Sequence, residues 1–331
     1  MRGIVKPRLY SEVNLMKSEE ELNLSSVQIT WGKQENYEIL RKLGRGKYSD
    51  VYEGLDMTSQ NKVALKILKP IKRSKVLREI KILRTLEGHP GVPKLLDIVK
   101  DNSTKTSALI IEHCENQDLV TLFSKIDDID ARFYLYEILK IMDFAHSKGI
   151  MHRDIKPNNI LINHNTRTVK IIDWCLAEFY YPDTPYNVKV ASRYYKAPEL
   201  LVNYQYYDYS VDMWSFGVMF AGLIFGKNPF FHGHDNYDQL VKIVRTLGTV
   251  KFYEYLENYD ISLDDRFEDL KNHYKPKVLA KMANSEMKLV NDEALDLIGK
   301  ILVFDHNARL LPLEAMQHSY FDPVREMRGN T

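Results

Sequence analysis

The stretch from Ile150 to Cys175, IMHRDIKPNNILINHNTRTVKIIDWC, constrains this chain more than any other. Asp154 is followed closely by Asn159, and Asp173 closes the β-branched run Val169 to Ile172. Moving a terminal phosphoryl group needs these parts: a carboxylate that takes the proton of the attacking hydroxyl, and oxygen ligands that hold magnesium against phosphates. Asp154 fits the first role. Asn159 and Asp173 fit the second, and Lys156 places positive charge beside the moving group. The whole string H-R-D-x-K-x-x-N is far more specific than one Asp in a surface turn.

Composition only bounds the answer. The 331 residues suffice for two lobes and a sizeable core. Lys plus Arg number 46 and Asp plus Glu 45, so net charge is silent about partners and its distribution matters instead. The two cysteines, Cys114 and Cys175, have no paired spacing, which argues for a reducing compartment and against a disulfide framework or zinc site. The opening MRGIVKPRLYSEVN has no apolar signal core, and no run approaches a membrane span. His232, His234 and Asp235 resemble a metal cluster by type, but they lack further spaced ligands.

Upstream, residues 1–36 are polar and broken by Pro7, which reads as an extended arm. Tyr37, Ile39 and Leu43 then begin a strand, Val51 and Tyr52 a second, and Asn61 to Leu68 a third, joined by tight turns as in an antiparallel sheet. The turn Gly44-Arg45-Gly46-Lys47-Tyr48-Ser49 is a phosphate cover in which Ser49 stands at the third glycine of G-x-G-x-x-G. Val51 falls where a side chain would pack on a purine face. Lys66, in VALK, then becomes the phosphate ligand. Residues 73–87 carry Val76, Ile80 and Leu83 at helical spacing, and Glu79 on that helix would pair with Lys66. Ala108 to Ile111 is a further strand running into a polar hinge, Glu112 to Asn116, whose backbone would meet the purine edge while Ile111 guards the back of the pocket. Leu135, Ile138, Leu139, Met142 and Ala145 form one core stripe. The segment after Asp173 ends in Ala197-Pro198-Glu199, and a very apolar helix follows. Asp212 near its start would bond the backbone of the Asp154 loop, and Arg309 would pair with Glu199.

From residue 37 to 320 these pieces together resemble a eukaryotic protein kinase. More narrowly, RKLGRGKYSDVYEG, LKILKP, GIMHRDIKPNNI, YNVKVASRYYKAPELL, Trp174 after Asp173, HGHDNYDQL and LYSEVN in the arm resemble the casein kinase II catalytic alpha-subunit family. The resemblance implies an α+β bilobal fold: a small, mostly antiparallel β lobe with one key helix (37–111), a larger, mostly helical lobe (112–331), and an arm (1–36) packing on the kinase domain, against the activation segment and the large-lobe surface after it. It implies Mg2+ with ATP, and also GTP, as phosphoryl donor to acidic-flanked Ser or Thr in proteins. It adds Leu43, Ala64, Cys114, Leu161 and Ile172 to the nucleotide site. It also implies a heterotetramer with two regulatory beta subunits, activity without activation-segment phosphorylation, a cytoplasmic and nuclear location, and no membrane or nucleic-acid role.

Two basic sets match the family's readers of acidic side chains after the target hydroxyl: Lys72, Arg73, Lys75 and Arg78, and Lys189, Arg193 and Lys196. The plainer alternative is a solvated helix face with a nuclear-import patch, KPIKRSK. Ile39, Tyr52, Leu65, Ile67 and Ile110 match the beta-subunit docking face; packing under the arm is the plainer reading. Two departures stand out. Cys175 replaces the glycine after Asp173-Trp174, which is harmless only if its φ is negative. Glu20-Glu21-Leu22-Asn23-Leu24 replaces the arm's aromatic cluster. The alternatives are a catalytically impaired kinase-fold scaffold and a kinase of a neighbouring branch with another substrate preference.

Overall fold

The computed structural model describes residues 6–329. The arm carries one helical turn, α1 (Glu19–Leu22). The small lobe follows as β1 (Tyr37–Arg45), β2 (Ser49–Asp56), β3 (Lys62–Leu68), α2 (Arg73–Thr85), β4 (Leu95–Lys100) and β5 (Ser107–Glu112). Its five strands pair antiparallel in the order β1-β2-β3-β5-β4. The sequence reading placed no strand between Pro93 and Ala108. β4 forms there because Ile98 completes a small core with Leu68, Ile80 and Leu109, beneath α2.

Strand alternation sends β3 side chains to opposite faces. Lys66 faces α2, while Val63 and Leu65 join Val99, Ala108 and Ile110 on the outer face, flanked by Tyr37, Tyr52 and Ile67. Leu65 is 5% exposed and Ile110 is 0% exposed, so these two docking candidates lie inside that cluster rather than on view. Neighbouring side chains close over them; Ile39, at 50% exposure, reaches solvent, and Tyr52 and Ile67 are half-buried.

The large lobe contains α3 (Leu119–Phe123), α4 (Asp128–Ser147), β6 (Ile150–Met151), β7 (Ile160–Asn163), β8 (Thr168–Ile171), β9 (Glu178–Phe179), α5 (Pro198–Leu201), α6 (Ser210–Ile224), α7 (Asn236–Leu247), α8 (Thr249–Asn258), α9 (Asp292–Ile301), α10 (Pro312–Met316) and α11 (Asp322–Gly329). Every residue of α6 is buried, which explains why its sequence is so apolar. No described helix is long and apolar enough to cross a membrane. Arg309, wholly buried, donates to Glu199 at 2.8 Å and to Ser210 O at 2.7 Å, tying α5 to α6. Such a pair is costly to desolvate and secures geometry more than stability. Asp235 accepts from Asp238 N at 2.8 Å and so caps α7, giving the His-rich loop a structural task.

The arm touches both lobes. Tyr10 donates to Asp143 at 3.2 Å and accepts from the Tyr209 hydroxyl at 3.0 Å. The buried Asn14 amide donates to Gly149 O at 2.7 Å and Tyr180 O at 2.9 Å. Gly149 has φ +76, and a Cβ there would lie 2.4 Å from the Asn14 amide, so the glycine is required twice over. Further on, Val27 and Ile29 pack onto the core beneath α2.

Candidate active site

Asp212 builds the catalytic loop. From the start of α6 its carboxylate accepts the backbone N–H of His152 at 2.8 Å and of Arg153 at 2.7 Å, and it meets His146 Nε2 at 3.0 Å. Burial opposes its ionisation, but the bond from His146 and the backbone N–H of His152 overcome burial and hold the carboxyl below its usual range. These bonds stabilise the left-handed backbone of Arg153, φ 65, which a non-glycine residue adopts only when its surroundings enforce it. His152, kept neutral by its burial, accepts from Asp154 N and packs edge-on against Trp174.

Asp154 itself is 5% exposed and fully engaged. Its Oδ2 accepts from Lys156 Nζ at 2.6 Å and Asn159 Nδ2 at 3.2 Å, and its Oδ1 accepts the Ser192 N–H and hydroxyl, both at 2.9 Å. Lys156 also reaches the Ser192 oxygen at 3.0 Å. The Ser192 hydroxyl thus offers a proton to Asp154 as an acceptor alcohol would. The sequence reading missed Ser192, because nothing in ASRYYK distinguishes it from a loop serine. Asn159 spends its amide on Asp154, donating to its backbone O at 2.8 Å as well, which leaves Asn159 Oδ1 as a hard oxygen ligand.

Lys66 bridges the lobes. Its ammonium donates to Glu79 at 2.5 Å on α2 and to Asp173 at 2.7 Å at the end of β8. Burial alone would lower its proton affinity; Glu79 and Asp173 outweigh that and raise it, so the site holds a fixed positive charge. For Asp173 burial acts upward, and Lys66 overcomes it and keeps the carboxyl well below the usual range. Asp173 takes the left-handed conformation, φ 62 and ψ 67. Cys175 instead lies in the helical turn Trp174–Leu176 with a negative φ, the condition under which it replaces the glycine harmlessly. Burial pushes its thiol well above its usual range, so it stays protonated beside Asp173. Trp174, 2% exposed, fastens this turn by donating to Ile171 O at 3.0 Å.

The glycine-rich turn runs over this charge cluster as the β1–β2 connection. Neither Gly44 nor Gly46 has a left-handed φ, and a Cβ on Gly44 would meet nothing within 4 Å. The fold itself does not demand Gly44, whereas a Cβ on Gly46 would crowd Ser49 O at 3.2 Å, and the room the two glycines leave is what phosphate oxygens require to reach backbone N–H groups. Gly46 N donates to Ser49 O at 2.8 Å, which closes the turn, and Ser49 pairs with Leu68. The Tyr48 ring lies between Lys47, at 5.4 Å, and Lys75, at 4.6 Å, joining the turn to the start of α2. Val51 and Ala64 sit beside Lys66 and Ile111 in register, both half-buried. Leu161 on β7 and Ile172 after β8 are also half-buried, while Leu43 is 44% exposed on β1. At the hinge, Glu112 meets Lys170 at 3.0 Å, and burial pushes the Cys114 thiol up to about 11.

The basic sets divide. Lys72, Arg73 and Lys189 are exposed; Arg193 is exposed and donates to His234 O; Lys75 is half-buried over Tyr48. Two residues differ from the expectation of free surface charge. Lys196 is 7% exposed and donates to Val190 O, because the chain folds its stem under the segment before Ala197. Arg78 is half-buried and donates to Glu178 on β9, whose same oxygen lies 3.5 Å from Arg153 Nη2. Arg153 further donates to Leu176 O at 2.8 Å and Tyr207 Oη at 3.0 Å. Glu178 therefore connects α2, the catalytic loop and the segment after Asp173, a role the sequence reading did not assign.

A fixed cation at two carboxylates, a carboxylate beside a hydroxyl, and open backbone above them can together orient a polyphosphate and accept a hydroxyl proton. A family model described as protein kinase domain matches residues 37–321.

Proposed function

The chain belongs to the protein kinase family and as such is a phosphotransferase that uses ATP with Mg2+, and from that premise we propose that it phosphorylates Ser and Thr in acidic protein segments without prior activation. The observation that carries this reading is Glu178 between Arg78 and Arg153. In most kinases of this kind the catalytic-loop arginine waits for a phosphate on the activation segment; here a carboxylate of the chain already occupies that role. Mg2+ supplies charge that stabilises the leaving phosphates. Asn159 and Asp173 would hold it, and Lys66, kept in place by Glu79, would hold the phosphates. Asp154 orients the acceptor hydroxyl and takes its proton, and Lys156 steadies that carboxylate.

Acidic preference is supported by exposed Lys72, Arg73 and Lys189. GTP as a second donor and the casein kinase II alpha relationship belong to the same proposal. The test is phosphorylation of Ser peptides with acidic or with proline flanks, with ATP and with GTP, using enzyme shown by mass spectrometry to be unphosphorylated. We expect acidic peptides to be used at once, and Asp154→Ala to lose 10²–10⁴-fold, the usual worth of a general base. Enzyme inert until treated with another kinase, or preferring proline flanks, would overturn the reading.

A regulatory beta subunit docking on the outer face of the small lobe is the further part of this proposal. Because Leu65 and Ile110 are covered, the exposed Ile39, with half-buried Tyr52 and Ile67, is what that face offers a partner. Ile39→Asp should weaken binding to a cognate beta subunit at least tenfold in a titration; unchanged affinity would remove the claim.

A further inference from the structure

We propose that Ser18 is a phosphorylation site of this kinase, modified by a second copy of the chain; the proposal rests on the acidic-substrate reading above. Ser18 is followed by Glu19, Glu20 and Glu21, and nowhere else in the sequence is a hydroxyl residue followed by three carboxylates in a row. The carboxylates run into Glu20–Leu24, the stretch where the arm departs from the resembling family.

The local structure makes the residue available. Ser18 is exposed, and α1 buries none of its residues. What shapes the turn is a capping box: the Ser18 hydroxyl donates to Glu21 Oε2 at 2.8 Å, Ser18 N donates to the same oxygen at 2.9 Å, and Glu21 N donates to Ser18 Oγ at 3.2 Å. One exposed helical turn with no fully buried residue lies at the low end of local stability, so it opens readily into the extended form a kinase cleft requires. Extended, it presents a hydroxyl trailed by three carboxylates to the exposed Lys72, Arg73 and Lys189.

The anchors on either side favour a second copy. Lys17 donates to Asn14 Oδ1 and to Lys148 O, both at 2.7 Å, and Lys81 donates to Asn23 O at 2.9 Å. Using its own Asp154 would require the arm to leave these positions. A second molecule needs only the α1 turn to open. In the step, the bond from the γ-phosphorus of Mg-ATP to its bridging oxygen breaks, a bond to Ser18 Oγ forms, the hydroxyl proton passes to Asp154, and ADP leaves. The phosphate then replaces the donor O–H and stands beside Glu21 with like charge, so the capping box opens between the two anchors.

The experiment uses the full chain, treated with phosphatase, repurified, and incubated with Mg-ATP before mass spectrometry. We expect phosphate on Ser18, none there in Ser18→Ala, and at least tenfold less when Glu19, Glu20 and Glu21 are all changed to Gln, both variants keeping wild-type activity on an acidic peptide. A tagged Asp154→Asn chain should stay unmodified alone and gain the phosphate when mixed with wild type. Amide exchange at Glu21 should quicken at least tenfold once Ser18 is modified. Active enzyme that phosphorylates the peptide yet leaves Ser18 bare, or modifies only other residues, overturns this proposal and spares the substrate reading. Enzyme that modifies neither overturns both.

Discussion

Glu178→Gln is the sharpest perturbation of the assembled state. It keeps the shape of the side chain and removes the charge between Arg78 and Arg153. The side chains of Glu178, Arg78 and Arg153 are 21%, 20% and 4% exposed, so water cannot fully replace the lost carboxylate. Burial lowers the proton affinity of Arg78, Glu178 counters this, and Arg153 adds to the lowering. Without Glu178 two guanidinium groups face each other across the junction of α2 and the catalytic loop. Exposed ion pairs are worth about 0.2–1 kcal/mol, and breaking a buried one costs about 3–5 kcal/mol. A site about one-fifth exposed sits between, at roughly 2 kcal/mol, or about thirtyfold in an equilibrium at about 1.4 kcal/mol per tenfold. Arg153 keeps Leu176 O and the Tyr207 hydroxyl, so the loss should loosen α2 rather than unfold the lobe. We therefore expect kcat/KM on an acidic peptide to fall about tenfold or more, with the unfolding midpoint within a few degrees of wild type. Glu178→Asp should recover part of the loss. Activity within twofold of wild type would refute the claim that this carboxylate stands in for an activating phosphate.

Two further predictions follow from the same region. Cys175→Gly should change turnover by less than tenfold, because Cys175 already has a negative φ and the left-handed residue is Asp173; deleting residues 1–30, which removes the Asn14 anchor and the Val27 and Ile29 packing, should cost more, and a large gain on restoring the glycine would contradict this. Burial pulls the Lys196 ammonium down to about 8, whereas the unfolded chain keeps its proton to roughly 10.4. Between these values the unfolded state binds more protons, so this residue's destabilising contribution is full below pH 8 and fades as pH rises. Lys196→Met should be more stable than wild type at pH 7, with the gap in urea midpoints narrowing by about pH 9.5; a gap that stays constant would show that the buried charge is not its source.

Much of the candidate site was legible in the sequence alone. Asp154, Lys156 and Asn159 lie within a few residues of one another, so their spacing by itself brings a carboxylate, a cation and an amide oxygen together. Lys66, Glu79 and Asp173 are far apart in sequence, yet each stands in a motif whose order identifies it, and the structure joins them. The helix α2 was legible from its apolar period, the strands β1 to β3 from short strand-like runs joined by tight turns, and α6 from a sequence apolar on every face. Other features depended on partners that no local pattern encodes. Arg78 and Glu178 are 100 residues apart, and an arginine on a basic helix reads the same whether it faces solvent or a carboxylate. Lys196 reads as surface charge until the segment before Ala197 folds over it. Leu65 and Ile110 read as exposed because alternation reveals only which face of the sheet they occupy, while neighbouring strands decide whether that face is covered. Ser192 gained its place only when the loop after Asp173 folded back onto Asp154. Sequence periodicity reports the face a residue takes on its own element; which charge or carbonyl waits opposite is settled only when distant elements pack.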